Sequence, residues 1–225
     1  MKRYVSFLVL LMTAISLQAQ DFQQFFNDST LRLDYIFAGD KKSQHLHLDQ
    51  PHKSAGWYGR RHHLDQLPLE GNGDITMKDA ATGTVIYRHS FSTLFQEWLS
   101  TAEARQTSRS FENVFLVPYP RQAVEITVTL RDYHARTMAS MTHRVNPTDI
   151  LIRRQHQQSR YTTIHAAADT ARCIHVAFVA EGYTIGQMDQ YLADCRAATE
   201  ALFRHEPFKQ LQDRFNIIAI QSPSH

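Results

Sequence analysis

The chain carries thirteen histidines among 225 residues, and their spacing decides what chemistry they can do. His45 and His47 stand two apart, so on a strand they share one face. His62 and His63 sit side by side in a loop. Such groups hold zinc only where the fold brings a third donor close. No spacing here is diagnostic, so solvent-facing histidines are the expectation. The metallohydrolase helix motif H-E-x-x-H is absent from the chain. His205-Glu206 comes nearest, but Pro207 and Phe208 follow and no second His arrives one turn later. The two cysteines, Cys173 and Cys195, form no C-x-x-C pair and are expected to be unbridged, buried thiols.

Other nucleophile and phosphate signatures are also missing. There is no G-x-S-x-G elbow, no G-x-G-x-x-G and no P-loop lysine. Glu181-Gly182-Tyr183-Thr184-Ile185-Gly186 joins a strand to a helix, where free helix amides can hold an anion. Without those motifs, Glu181 is expected simply to end a strand. Asn27-Asp28-Ser29 matches a glycosylation acceptor, a tripeptide common by chance. Among aromatics, Trp57 and Tyr58 lie in a loop between Gly56 and Gly59 and are the candidate ligand contacts. Trp98 falls on an apolar helical stripe and is expected in the core.

The start of the chain reads as an address rather than as fold. Lys2 and Arg3 precede the apolar run Val5 to Leu17, and Ala19 offers a small residue before Gln20 or Asp21. Residues 1–19 are therefore expected to be a cleaved signal peptide. The run is short for a bilayer span. Export to a periplasmic, cell-surface or secreted location follows, with no membrane attachment after cleavage. Of 24 basic and 22 acidic residues, Lys2 and Arg3 leave with the leader, so the mature chain is formally neutral. That balance gives no support for a nucleic-acid partner.

Two different patterns follow. Leu31, Leu33, Tyr35 and Phe37 alternate with polar residues, as do Val124, Ile126, Val128 and Leu130. A period of two marks half-buried strands. Further strands are expected at 44–49, 73–78, 83–90, 111–117 and 137–145, with turns at Asn72-Gly73 and Thr82-Gly83. Phe91, Leu94, Phe95, Trp98, Leu99 and Ala102 recur at helical spacing, and Thr93 with Gln96 can cap a helix over 93–105. Residues 20–150 are thus expected to be an all-β antiparallel sandwich with one short helix. Residues 151–171 are polar and mixed, a linker with room for a strand at 150–152.

From residue 172 the pattern becomes α/β. Residues 174–181 form an almost continuous apolar run, expected to be a strand covered on both faces. Thr184 and Gln187 make a capping box for a helix over 185–205. Its apolar face is Met188, Tyr191, Leu192, Cys195, Ala198, Thr199 and Leu202. Residues 215–221 supply a second strand, parallel to the first. Residues 172–225 are therefore expected to be an incomplete α/β (β-α-β) unit.

Two segments together resemble a known family. Phe91-Ser92-Thr93-Leu94-Phe95-Gln96-Glu97-Trp98, with Thr101-Ala102-Glu103-Ala104, Phe111-Glu112 and Val117-Pro118-Tyr119-Pro120, resembles the N-terminal domain of the IgA peptidase family of zinc metallopeptidases (metallopeptidase family 64). Val176 to Thr184, Pro207-Phe208 and Phe215-Asn216-Ile217-Ile218 resemble the opening of that family's catalytic domain. The resemblance implies an exported peptidase acting on protein or peptide, with zinc held by an H-E-x-x-H helix in a full-length member. No residue here corresponds to that helix, so no catalytic or metal residue carries over. The expectation is an inactive, truncated member. The alternative is a stand-alone sandwich that binds protein or glycan through Trp57 and Tyr58.

Overall fold

The computed structural model describes residues 22–67, 69–155 and 160–224. The expected signal peptide lies outside the described residues. The chain divides into two compact units, Met1–Gln155 and His156–His225.

The first unit is built on β1 (Phe26–Gly39), preceded by one helical turn α1 (Phe22–Phe25). β1 pairs antiparallel with β2 (Gln44–Ala55) on one side and β5 (Arg109–Pro120) on the other. The second sheet has the order β4-β3-β6-β7, from β3 (Gly73–Asp79), β4 (Val85–Phe91), β6 (Val124–Arg131) and β7 (Thr137–Val145). All its pairs are antiparallel.

The period-two residues meet between the sheets. Leu31, Leu33, Tyr35 and Phe37 are buried, as are Val124, Ile126, Val128 and Leu130. Phe91 and Phe115, from opposite sheets, bring their ring centroids to 4.4 Å. The sandwich expected from the sequence is therefore present. The β1–β2 turn closes on Asp40, whose Oδ1 accepts from the amides of Lys42 and Ser43. Gly39 has φ +135°, and a Cβ there would lie 2.0 Å from the Ser43 carbonyl oxygen, so only glycine fits.

The helix expected over 93–105 is shorter. Thr93 Oγ1 accepts from the Gln96 amide at 3.3 Å and starts α2 (Leu94–Trp98). The Gln96 side chain donates to the Asn72 carbonyl at 2.5 Å and accepts from Thr93 Oγ1 at 3.2 Å, so the box is only half made. Ser100 Oγ donates to the Glu97 carbonyl at 2.7 Å, local bonding that competes with a continued helix. Only a 3-10 turn at Glu103–Arg105 follows. Phe95 and Trp98 are buried as expected, whereas Leu94 is 71% exposed.

The segment 151–171 carries more structure than a linker. The expected strand at 150–152 is instead a turn, held by the Asp149 carboxylate accepting from the Leu151 amide at 2.9 Å. A two-residue strand β8 (Arg153–Arg154) follows and pairs parallel with β2. In the second unit β9 (Tyr161–His165) pairs antiparallel with β11 (Phe215–Ile220). β10 (Ile174–Val179) runs parallel to β11 on its other side, as the crossover pattern predicts. The connection contains α3 (Met188–Leu202) and α4 (Phe208–Leu211). Tyr191, Cys195 and Thr199 bury the inner face of α3, but Ala198 lies outside it.

One expectation fails here. β10 is not covered on both faces: Ile174 is 52% and Val179 59% exposed. α3 packs its apolar stripe with Phe178, Ala180 and Ala219 on one side of the sheet. Among the described residues no second helix layer covers the other side.

Candidate functional site

The loop Gly56–Leu64 shows how this sequence hides one aromatic and exposes the next. Thr30 Oγ1 donates to the Gly56 carbonyl at 2.6 Å, and the Trp57 amide donates to Asp28 Oδ1 at 3.0 Å. These bonds fold the loop back onto β1. Trp57 is 6% exposed, and its indole N–H donates to the Arg60 carbonyl at 3.0 Å. Its ring meets Tyr87 edge-on at 6.2 Å. Gly59 permits this, because a Cβ there would lie 2.3 Å from the indole ring. The Arg60 guanidinium donates to the carbonyls of His63, Leu64 and Arg88 and straps the loop to β4. Trp57 is thus a core residue, out of a ligand's reach, while Tyr58 is 76% exposed. Of the candidate pair only Tyr58 is exposed, and the sequence signal that separates them is Gly59.

A concavity of about 410 Å³ lies elsewhere in the sandwich, between the start of β3 and the β6–β7 turn. Its lining includes Arg88, Ser90, Asn72, Tyr133 and the Asp74–Arg131 ion pair. Asp74 is 4% exposed and also accepts from Thr76 Oγ1 at 3.2 Å, so its carboxylate is spent on structure. Ser90 Oγ is likewise committed, accepting from the Gly71 amide at 2.6 Å and donating to the Gly73 carbonyl.

The histidines do not converge. His45 and His47 share a face of β2, with ring centroids 6.5 Å apart, and His45 meets Ser43 Oγ at 3.1 Å. His62 and His63 stay in the Trp57 loop, where His63 adopts φ 52°. His143 instead faces the core. Its Nε2 lies 2.6 Å from the Tyr35 hydroxyl, and burial holds its pKa below the usual imidazole value. Among the described residues no group of three or more His, Cys, Asp or Glu side chains is placed to hold a metal ion. The zinc implied by the family resemblance finds no such donor set among the described residues.

In the second unit the strand-to-helix turn is closed rather than open. Gly182, at φ +83°, donates its amide to Ser224 Oγ at 2.9 Å, and the Ser224 amide donates to the Tyr183 carbonyl at 2.8 Å. Gln187 accepts from the Thr184 amide at 3.0 Å, completing the expected capping box. The amides of Gly182, Thr184 and Gln187 thus have intramolecular partners. Glu181 follows the end of β10 and is exposed. Cys173 and Cys195 are both free thiols; Cys195 is buried and Cys173 half-buried.

Comparison with known proteins places both units. The family model for the Peptidase M64 N-terminus matches residues 21–142, and that for IgA Peptidase M64 matches residues 162–225. The interval between the matches contains the division at Gln155/His156. No curated protein matches the chain. The first model alone spans more than half of the chain, so the chain belongs to the IgA peptidase M64 family, as its N-terminal domain followed by catalytic-domain sequence.

Proposed function

We propose that the chain is the accessory sandwich and catalytic-domain opening of an exported zinc metallopeptidase, and that residues 1–225 alone cleave no peptide bond. The observation that carries this reading is the agreement of sequence order with architecture. The N-terminal family match falls on the sandwich, and the peptidase match falls on the parallel α/β unit. Inactivity is supported by the sequence itself, which lacks the H-E-x-x-H helix that supplies both zinc ligands and general base. Export is supported by Lys2, Arg3 and the apolar run to Leu17.

Incubating the purified chain with unfolded casein, with and without chelator, tests the activity claim. No cleavage is expected, and chelator-sensitive cleavage overturns it. N-terminal sequencing of the expressed protein tests export. A start at Gln20 or Asp21 supports it, and an intact leader on cytoplasmic protein defeats it.

A second reading, a stand-alone module holding protein or glycan, rests on Tyr58. Its 76% exposure on a loop fixed by Arg60 gives a rigid aromatic surface. Retention on immobilised glycoproteins that disappears in Tyr58→Ala would favour it.

A further inference from the structure

Strand register builds the floor of the concavity beside β3. Asp74 stands opposite Ser90 of β4, and Thr76 opposite Arg88. Opposed residues share a face, so one side of the sheet presents carboxylate, hydroxyl and guanidinium groups together. Most of this floor is locked. Arg131 pairs with Asp74, Thr76 donates to Asp74, and Ser90 bridges Gly71 and Gly73. A surface held in this way loses little freedom when something binds to it.

The rim is less committed. The side chains of Arg88 and Glu70 line the concavity and make no hydrogen bond or ion pair among the described residues. Asn72 lines it too, and its side-chain oxygen is shielded from water without a donor. Such orphans are uncommon in native folds, and an arriving hydroxyl would supply the missing hydrogen bond. At the β6–β7 turn stands Tyr133, 88% exposed. Asp132 fixes that turn, its Oδ1 accepting from the amides of His134 and Arg136 at 2.9 and 3.0 Å. The His134 ring backs that of Tyr133, with centroids 3.9 Å apart. A large aromatic side chain is thus held at the mouth of the concavity on a braced turn.

These groups together ask for one kind of ligand. Arginine only donates and a carboxylate only accepts, so the ligand must do both, as hydroxyls do. Tyr133 asks for an apolar face as well. A pyranose ring has both, hydroxyls around its edge and C–H bonds on its face. A concavity of about 410 Å³ has room for such a ring. Phosphate or sulfate fits less well, because the carboxylates of Glu70, Asp74 and Asp132 line the same walls. A wholly apolar ligand would strand the polar floor. We propose that the concavity binds a neutral pyranose unit of a glycan, with Tyr133 as the stacking platform and Arg88, Glu70 and Asn72 as hydroxyl partners. The site rests on neither reading of the whole chain, since a peptidase's accessory domain and a stand-alone module could each carry it, and it makes no use of Tyr58.

Titrating methyl pyranosides of glucose, galactose, mannose and N-acetylglucosamine into the full chain, followed by nitrogen–proton correlation NMR, tests the proposal. At least one should move the backbone amides of residues 72–74 and 133–136, with a Kd of about 1 mM for a ligand of so few contacts. Arg88→Ala and Tyr133→Ala should each weaken that binding by about 10-fold. Tyr133→Phe should retain most of it, because the ring alone stacks. Sulfate, the competing anion, should leave those amides in place. No shift with any of these glycosides, shifts that centre on Tyr58, binding that survives both alanine substitutions, or shifts caused by sulfate alone would each overturn the proposal.

Discussion

Replacing Tyr35 by Phe removes one oxygen from the middle of the sandwich and tests how its core polar bond works. The Tyr35 hydroxyl meets His143 Nε2 at 2.6 Å, joining β1 of one sheet to β7 of the other. Tyr35 is 1% exposed, so water does not replace a lost partner easily. His143 Nδ1 already lacks a partner, and the substitution strips the other ring nitrogen as well. Losing the bond and leaving a shielded acceptor unpaired costs about 1–3 kcal/mol. In a domain of this size that lowers the unfolding midpoint by about 4–12 °C. Differential scanning calorimetry at pH 8 measures it. The double variant Tyr35→Phe/His143→Leu removes both partners and should regain most of the loss. Acidification adds a signed check. Burial holds the His143 pKa below its ordinary 6.5, so the unfolded chain takes up protons first as pH falls. Stability should be full above about pH 6.5 and decline below it. His143→Leu should flatten that slope in part. The remainder belongs to His89, which burial, and then Arg60, shift the same way. A Tyr35→Phe protein as stable as wild type at pH 8 would refute the argument.

Three other outcomes follow from packing. Phe95→Ala empties a fully buried site between Phe37, Trp98 and Phe111, and should cost about 3–5 kcal/mol by chemical denaturation. Gly59→Ala puts a methyl 2.3 Å from the Trp57 ring, and should cost about 1–3 kcal/mol and shift Trp57 fluorescence toward that of a wetter indole. The two units should unfold in separate transitions, and the second should associate through its uncovered sheet face. Light scattering checks this last point: Val179→Lys should reduce association, and an unchanged signal would point to another surface.

Much of the sandwich was legible because one face of each long strand is buried. The alternation in β1 and β6 named eight residues, and all eight lie between the sheets. The capping box ahead of α3 was legible for a similarly local reason, since Thr184 and Gln187 satisfy each other around the 3-10 turn Ile185–Gln187. What stayed hidden depends on distant partners. Tyr161 to His165 gives a weak local pattern and becomes β9 only because β11 offers an edge. Trp57 reads as a loop aromatic until Asp28, Arg60 and Gly59 fold it inward. Asn216 reaches His175 across 41 residues, a meeting set by strand register alone. The apolar run at 174–179 misled for the opposite reason: hydrophobicity reports what could be covered, and the described residues cover one face.

The placement of β1 has a consequence for how the protein comes into being. β1 is among the first segments to leave the ribosome, yet one of its two partners is β5, which ends at Pro120. Its other partner, β2, waits in turn for Arg153–Arg154. The longest strand of the sandwich must therefore wait for residues about 80 to 90 positions downstream before both its edges are paired. Such long-range closure makes folding slow. Until those partners arrive, the apolar face of β1 is open to a chaperone.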